Sequence, residues 1–161
     1  MATRSMIGMT LTNGEIKAIY CHWDGYISNN GMILYNCYNT VEQVEALMSL
    51  GDLSSLREKL GEKHDMTDPL NKVGSDNGWC TAFGRDRGDE GCEARILKDN
   101  RKLKSLAQSV WAEWIYLYDC HNKEWLVKPT SEGRYRKLYD VLLEDGLIDP
   151  IDELLNTAKQ D

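Results

Sequence analysis

An α+β fold is the class this sequence predicts: an antiparallel sheet built from two hairpins plus one or two short strands, with four to five helices packed on it. Three observations lead there. "SMIGMTLTNGEIKAIYCHW" alternates around an Asn-Gly turn signal. A second alternating run, residues 111–119, is returned across "CHN" by "KEWLV". Between and after these hairpins the apolar residues fall at helical spacing. Hairpins with intervening helices define an antiparallel α+β architecture. The 161 residues suit a single globular domain over 1–161, whose end, about 132–161, is acidic and helical.

The first hairpin is the clearest element. A two-residue turn at Asn13-Gly14 sets Leu11 opposite Ile16, Met9 opposite Ala18, Ile7 opposite Tyr20 and Ser5 opposite His22. Alternation then gives one core face of Ile7, Met9, Leu11, Ile16, Ala18, Tyr20 and His22. "GMILYNCY" reads as a short third strand. "NTVEQVEALMSLG" is a helix, opened by a capping box of Thr40 and Gln43 and stopped at Gly51. "DLSSLREKLG" reads as a second short helix, and the polar stretch 62–78 as a loop broken by Pro and Gly. Residues 79–83 read as a strand, followed by the charged turn "GRDRGDEG". Residues 98–108 form a helix. "SEGRYRKLYDVLLEDG" carries the strongest helical spacing, and "DPIDELLNTA" a last short helix with Asp149 as N-cap.

Bulk chemistry narrows the function classes. No apolar run reaches membrane-helix length, and "MATRSMIGMT" lacks the apolar centre of a secretory signal, so the cytoplasm is the expected compartment. Five cysteines without framework spacing are then expected to stay reduced. Cys21, His22, Cys37, His64, Cys80, Cys92, Cys120 and His121 show none of the paired spacings of zinc sites, so neither metal nor cofactor is expected. The net charge is −7, and residues 140–161 hold seven acids against one base, Lys159. An acidic end disfavours direct nucleic-acid binding and suits a basic groove on a protein. Asp140, Glu144, Asp145, Asp149, Asp152 and Glu153 would make that contact; a solvated helical face explains the same charges. Eight Tyr and five Trp against one Phe suit surfaces half buried and half wet.

Two clusters carry candidate chemistry. His22 with Asp24 has the composition of an imidazole oriented by a carboxylate, the unit of general base catalysis. No nucleophile turn accompanies it, and a hydrogen-bonded strand end or a ligand site fits the same residues. Arg85 and Arg87, among the glycines of "GRDRGDEG", have the planar forks that grip phosphate in two-point fashion; Asp86, Asp89 and Glu90 stand ready to neutralise them instead. Tyr20 and Tyr26 would join His22 and Asp24 in reading a base or ribose. Trp114, Tyr116 and Tyr118 share one strand face, a stacking platform if exposed and ordinary core if helices cover both faces.

The stretches "RSMIGMTLTNGEIKAIYCHWDGY", "VEALMSLGDLSSL" and "TAFGRDRGDE" together resemble a family of small proteins encoded by bacteriophages and prophages. The shared pattern falls on Arg4-Ser5, residues 19–26, residues 51–56 and residues 84–88; it departs at Ile27, where the family pattern often has Pro. The resemblance implies a phage accessory protein in the cytoplasm of an infected bacterium. Its expected role is non-catalytic: stoichiometric inhibition of a host defence protein, in the manner of anti-CRISPR or antirestriction proteins, or sequestration of a nucleotide signal. A small hydrolase of such a signal, using His22 and Asp24, is the third reading. A homo-oligomer is compatible with each.

Overall fold

The structure is a computed structural model, described over residues 2–150. Eight strands among these residues form one mixed sheet, flanked by helices on both faces, so the α+β class holds. The strands are β1 Ser5–Thr10, β2 Ile16–Cys21, β3 Leu53–Ser55, β4 Thr81–Ala82, β5 Arg95–Leu97, β6 Trp114–Asp119, β7 Glu124–Pro129 and β8 Arg136–Lys137. Their order is β4-β3-β2-β1-β6-β7-β8, with β5 pairing along β2. The helices are α1 Met32–Cys37, α2 Val41–Met48, α3 Lys72–Asn77, α4 Phe83–Arg87, α5 Asn100–Ser109 and α6 Leu138–Glu144. A π-helical turn, Ile27–Gly31, precedes α1.

Both hairpins form, but they join differently from the expectation. β1 lies parallel to β6, with Ser5 beside Trp114 and Met9 beside Tyr118, and β2 meets β3 in parallel at Cys21. The sheet is therefore largely, not wholly, antiparallel. The first hairpin also sits one residue out of the predicted register. Ser5 faces Cys21, Ile7 faces Ile19 and Met9 faces Lys17. Its turn takes three residues, because the Leu11 N–H donates to the Glu15 carbonyl at 2.8 Å. Gly14 stands at φ +89°, and the Asn13 side chain accepts from the Glu15 N–H at 3.0 Å. A left-handed glycine closing a three-residue loop is the next commonest hairpin connection.

A one-residue slip moves every side chain to the other face. Here both faces are buried, so the apolar pattern accommodates either register. Ile7, Met9, Ile19 and Cys21 join Tyr116, Tyr118 and Trp125 under α1, α2 and α6. Met6, Ile16 and Ala18 join Ile115 and Leu117 beneath Leu103 and Ala107 of α5. The aromatic row of β6 is thus core, and the Tyr116 hydroxyl donates to the Gly25 carbonyl at 2.6 Å.

Other elements differ too. Residues 32–37 form α1, not a strand, with Leu34 fully buried. The predicted helix over 52–61 is β3 followed by irregular chain. The 62–78 loop contains α3, and the charged turn winds into α4. The strongest predicted helix begins only at Leu138, its first residues forming edge strand β8. Helix α2 matches its cap signal: Thr40 accepts from the Gln43 N–H at 3.1 Å, while Gln43 accepts from the Asn39 N–H at 2.9 Å. The final predicted helix, with Asp152 and Glu153, lies outside the described residues. No helix among the described residues is long and apolar enough to cross a membrane.

Candidate functional site

The stretch His22–Tyr26 leaves β2 as a braced loop. The His22 and Trp23 N–H groups donate to the carbonyls of Leu53 and Ser54, each at 3.0 Å, continuing the parallel pairing with β3. Gly25 N–H donates to the Thr3 carbonyl at 2.8 Å. A Cβ at Gly25 would stand 2.8 Å from the Ser5 Cβ and 2.9 Å from the Thr3 carbonyl, so only glycine lets the two segments meet. Behind the loop the fully buried Asn30 donates its amide to Ser5 Oγ at 3.2 Å and to Cys21 Sγ at 3.5 Å. Much of the Arg-Ser and Cys-His-Trp-Asp-Gly pattern is therefore a brace. Its product is the placement of an exposed Trp23 between the half-buried His22 and Asp24.

Trp23 divides two cavities. The larger, about 940 Å³, lies at the end of the sheet where β1 and β6 begin and β2 and β7 finish. Arg4, His22, Trp23, Trp111, Glu113 and Thr130 are among its lining residues. The smaller, about 260 Å³, lies on the β3 side of Trp23 and is lined by Asp24, Ser54, Ser55, Arg57, Asp68 and Asn71 among others.

Two independent observations mark these cavities. Among the described residues, four buried side-chain polar atoms have no hydrogen-bond partner: Arg4 Nε, Thr130 Oγ1, Ser55 Oγ and Asn71 Oδ1. The first two belong to lining residues of the larger cavity, the other two to lining residues of the smaller. Such orphans are few in native proteins and cost about 1–3 kcal/mol each. The second observation is backbone conformation. Of the four non-glycine residues at positive φ among the described residues, Trp111 (φ +62°) lines the larger cavity, and Asp24 (φ +56°) and Asn71 (φ +44°) the smaller. A bulky residue there is an outlier, and such strain gathers at functional sites. Trp111 is also 77 % exposed, so burial does not account for its placement.

The larger cleft sets the Arg4 guanidinium near a neutral imidazole, with Glu113 also on its lining. His22 Nδ1 shares a hydrogen bond of 2.7 Å with the Tyr20 hydroxyl, and the ring meets Trp23 edge-on at 4.7 Å. Burial, aided by the nearby Arg4 guanidinium, holds the His22 pKa below its ordinary value, so the ring is neutral at pH 7. Burial likewise raises Tyr20, which keeps its proton. Arg4 and Glu113 are the charged side chains of the cleft's lining. Among the described residues no hydrogen bond or ion pair joins His22 to Asp24, which stand at different cavities; the expected dyad is not assembled.

The remaining sequence candidates are placed apart from this cleft. Tyr26 is 42 % exposed and lines neither cavity. Arg85 turns inward. Its guanidinium donates to Asp86, to the carbonyls of Leu60 (2.8 Å) and Gly61 (3.3 Å), and to that of Cys80 (2.7 Å). Asp86 in turn accepts from the His64 N–H at 3.1 Å and the Ala82 N–H at 2.7 Å. Arg87 makes a two-point pair with Asp89 at 3.0 and 2.8 Å. The forks of the "GRDRGDEG" turn are thus occupied by the chain's own carboxylates and carbonyls. Of the acidic set, Glu144 pairs with Arg136 at 2.9 Å, and Asp140, Asp145 and Asp149 lie exposed.

A hydroxyl, an imidazole and a carboxylate also line up in the interior, as Thr81, His64 and Asp86. Thr81 Oγ1 lies 3.0 Å from His64 Nε2. His64 Nδ1 instead bonds the Glu62 carbonyl at 2.8 Å, with Asp86 Oδ1 farther off at 3.6 Å, and Thr81 is 1 % exposed. This geometry fastens residues 57–64 to β4. No group of three or more potential metal ligands occurs among the described residues.

Sequence reasoning quoted Arg4 and Trp23 without assigning them roles, and it missed Trp111, Thr130, Ser55, Arg57 and Asn71. A single signal was available: Trp111 is a large aromatic in the junction between α5 and β6. Fold and site together define a mixed-sheet α+β protein with an aromatic cleft, carrying Arg4 and Glu113, at one end of its sheet. Comparisons of the chain with protein-family models, curated proteins and solved structures find no match.

Proposed function

We propose that this protein is a non-catalytic binder of a small anionic ligand that carries an aromatic ring system, of which a nucleotide is the natural instance. The observation that supports this best is Trp111, exposed and held at positive φ on a cleft that also presents Trp23 and Arg4. Indole faces accept any base by stacking, worth about 1–3 kcal/mol per base, and a guanidinium accepts phosphate. The cleft volume falls in the range of small-molecule sites. With the phage resemblance, this favours sequestration of a nucleotide signal among the roles open to the chain, using Arg4, His22, Trp23 and Trp111 in place of Arg85 and Arg87.

Titration of the intrinsic tryptophan fluorescence with purine and pyrimidine nucleotides tests the proposal. Saturable quenching is expected, lost in Trp111→Gly. Flat titrations across the panel would overturn it. The second reading, inhibition of a host defence protein by the acidic end, draws on the exposure of Asp140 and Asp145 on and beside α6. Reversing both charges should then release a bound defence protein while leaving nucleotide binding unchanged.

A further inference from the structure

The smaller cavity holds an unusual pair. Asp24 and Arg57 both line it, yet among the described residues no ion pair joins them. Among the described residues the Asp24 carboxylate takes no hydrogen bond; the hydrogen bonds to Asp24 go to its backbone carbonyl, which accepts from the Asn30 N–H and the Asn29 amide. Arg57 spends one donor on the Leu56 carbonyl at 2.9 Å. Asp68, by contrast, is occupied, its oxygens accepting from the N–H groups of Leu70 and Lys72. The cavity therefore offers one free acceptor pair and one largely free donor fork. Ser55 adds a hydroxyl, 5 % exposed and without a partner. Trp23 forms a wall of this cavity and of the larger cleft alike.

We infer that the smaller cavity reads the hydrogen-bonding edge of a purine of guanine type, so that the ligand of the cleft is a guanine nucleotide. This rests on the nucleotide reading above and adds to it the identity of the base. The chemistry is a match of patterns. Guanine presents two adjacent N–H donors, at N1 and the 2-amino group, which a carboxylate accepts together. It also presents the O6 and N7 acceptors, which a guanidinium fork fills from the other side. Adenine offers a single amino donor beside ring acceptors, and would leave the carboxylate of Asp24 desolvated against a ring nitrogen. At about 260 Å³ the cavity is smaller than a site for a whole drug-sized ligand. It takes the base edge of a molecule whose base rests on Trp23, while its sugar and phosphate lie in the larger cleft against Trp111 and Arg4. An aspartate at φ +56° is also what the position tolerates, since Asp and Asn are the side chains that most readily adopt that conformation.

The test is isothermal titration of the full chain with GMP, IMP and AMP, repeated on Asp24→Asn. That substitution keeps size and backbone preference, and thermal unfolding would verify the fold. GMP should bind at least tenfold more tightly than AMP. IMP, which keeps N1–H but lacks the 2-amino group, should fall between. Asp24→Asn should erase the preference for GMP over AMP, and Arg57→Lys should weaken GMP more than it weakens AMP. Equal binding of GMP and AMP, or a preference that survives Asp24→Asn, would overturn the base assignment and leave the nucleotide reading standing. Binding of none of the three would overturn both.

Discussion

The loop after β2 and the turn after β4 look alike as strings. "CHWDGY" and "FGRDRG" each mix an aromatic, charged groups and glycine at the end of a short strand. The structure treats them oppositely. Arg85 and Asp86 are consumed inward, by each other and by backbone groups of residues 60–64, 80 and 82. The loop after β2 is braced from behind by Asn30, Ser5 and Tyr116, and its His22, Trp23 and Asp24 line the two cavities. What separates a scaffold from a site is therefore not residue type. It is whether the polar groups find partners within the chain.

The difference is sharpest in stability. Asp86 is a fully desolvated carboxylate beneath Arg85. Asp86→Ala leaves that guanidinium and two backbone N–H groups short of an acceptor, and should cost about 3–5 kcal/mol. Chemical denaturation would measure it; a change within the range of surface substitutions would mean the turn is not a scaffold. Gly25→Ala comes next. Its Cβ clashes with Ser5 and Thr3, for a loss of about 1–3 kcal/mol by overpacking and a weakened cleft. A variant as stable as the parent would show that the brace yields.

The converse behaviour is expected of the site. Trp111→Gly removes a stacking face and should reduce nucleotide affinity by roughly tenfold or more. Because glycine relieves the positive φ, unfolding free energy should hold or rise by up to about 1 kcal/mol. Lost affinity together with lost stability would reassign Trp111 to the scaffold. The smallest effect is a pH dependence. The folded-state pKa of His22 is depressed, so below the ordinary histidine value of about 6.5 the unfolded chain takes up a proton that the folded chain resists. Stability should fall as pH drops through that value and level off below the folded pKa. His22→Gln should flatten this part of the profile, and a profile unchanged by the substitution would remove His22 as its source.

Legibility in the sequence followed locality. The β6–β7 hairpin, the Thr40 cap of α2 and the Asp99-capped helix α5 are specified within a few residues, and all are present. The first hairpin was read correctly as a hairpin, but its register turned on one residue of loop length. With apolar side chains on both faces, no polar stripe opposed the slip. β3 was mistaken for helix because "DLSSL" suits either state, and pairing with β2 at a distance of thirty-two positions chose strand. "MILY" has strand composition, but the segment is α1, which buries the adjacent Ile33 and Leu34 in the core.

The sequence by itself determined the α+β class, both hairpins, the Thr40 cap of α2 and the presence of a Trp, a His and an Asp in one loop. These depend on near neighbours, where turn chemistry and periodicity act. Tertiary structure alone decided that β1 would run beside β6 in parallel, which set the start of β1, the approach to β6 and the ends of β2 and β7 around one cleft. It alone decided that Arg85 would be satisfied and Arg4 Nε left without a partner. Whether a buried polar group finds a partner depends on atoms far away in the chain, and a charge becomes available for a ligand where that search ends without one.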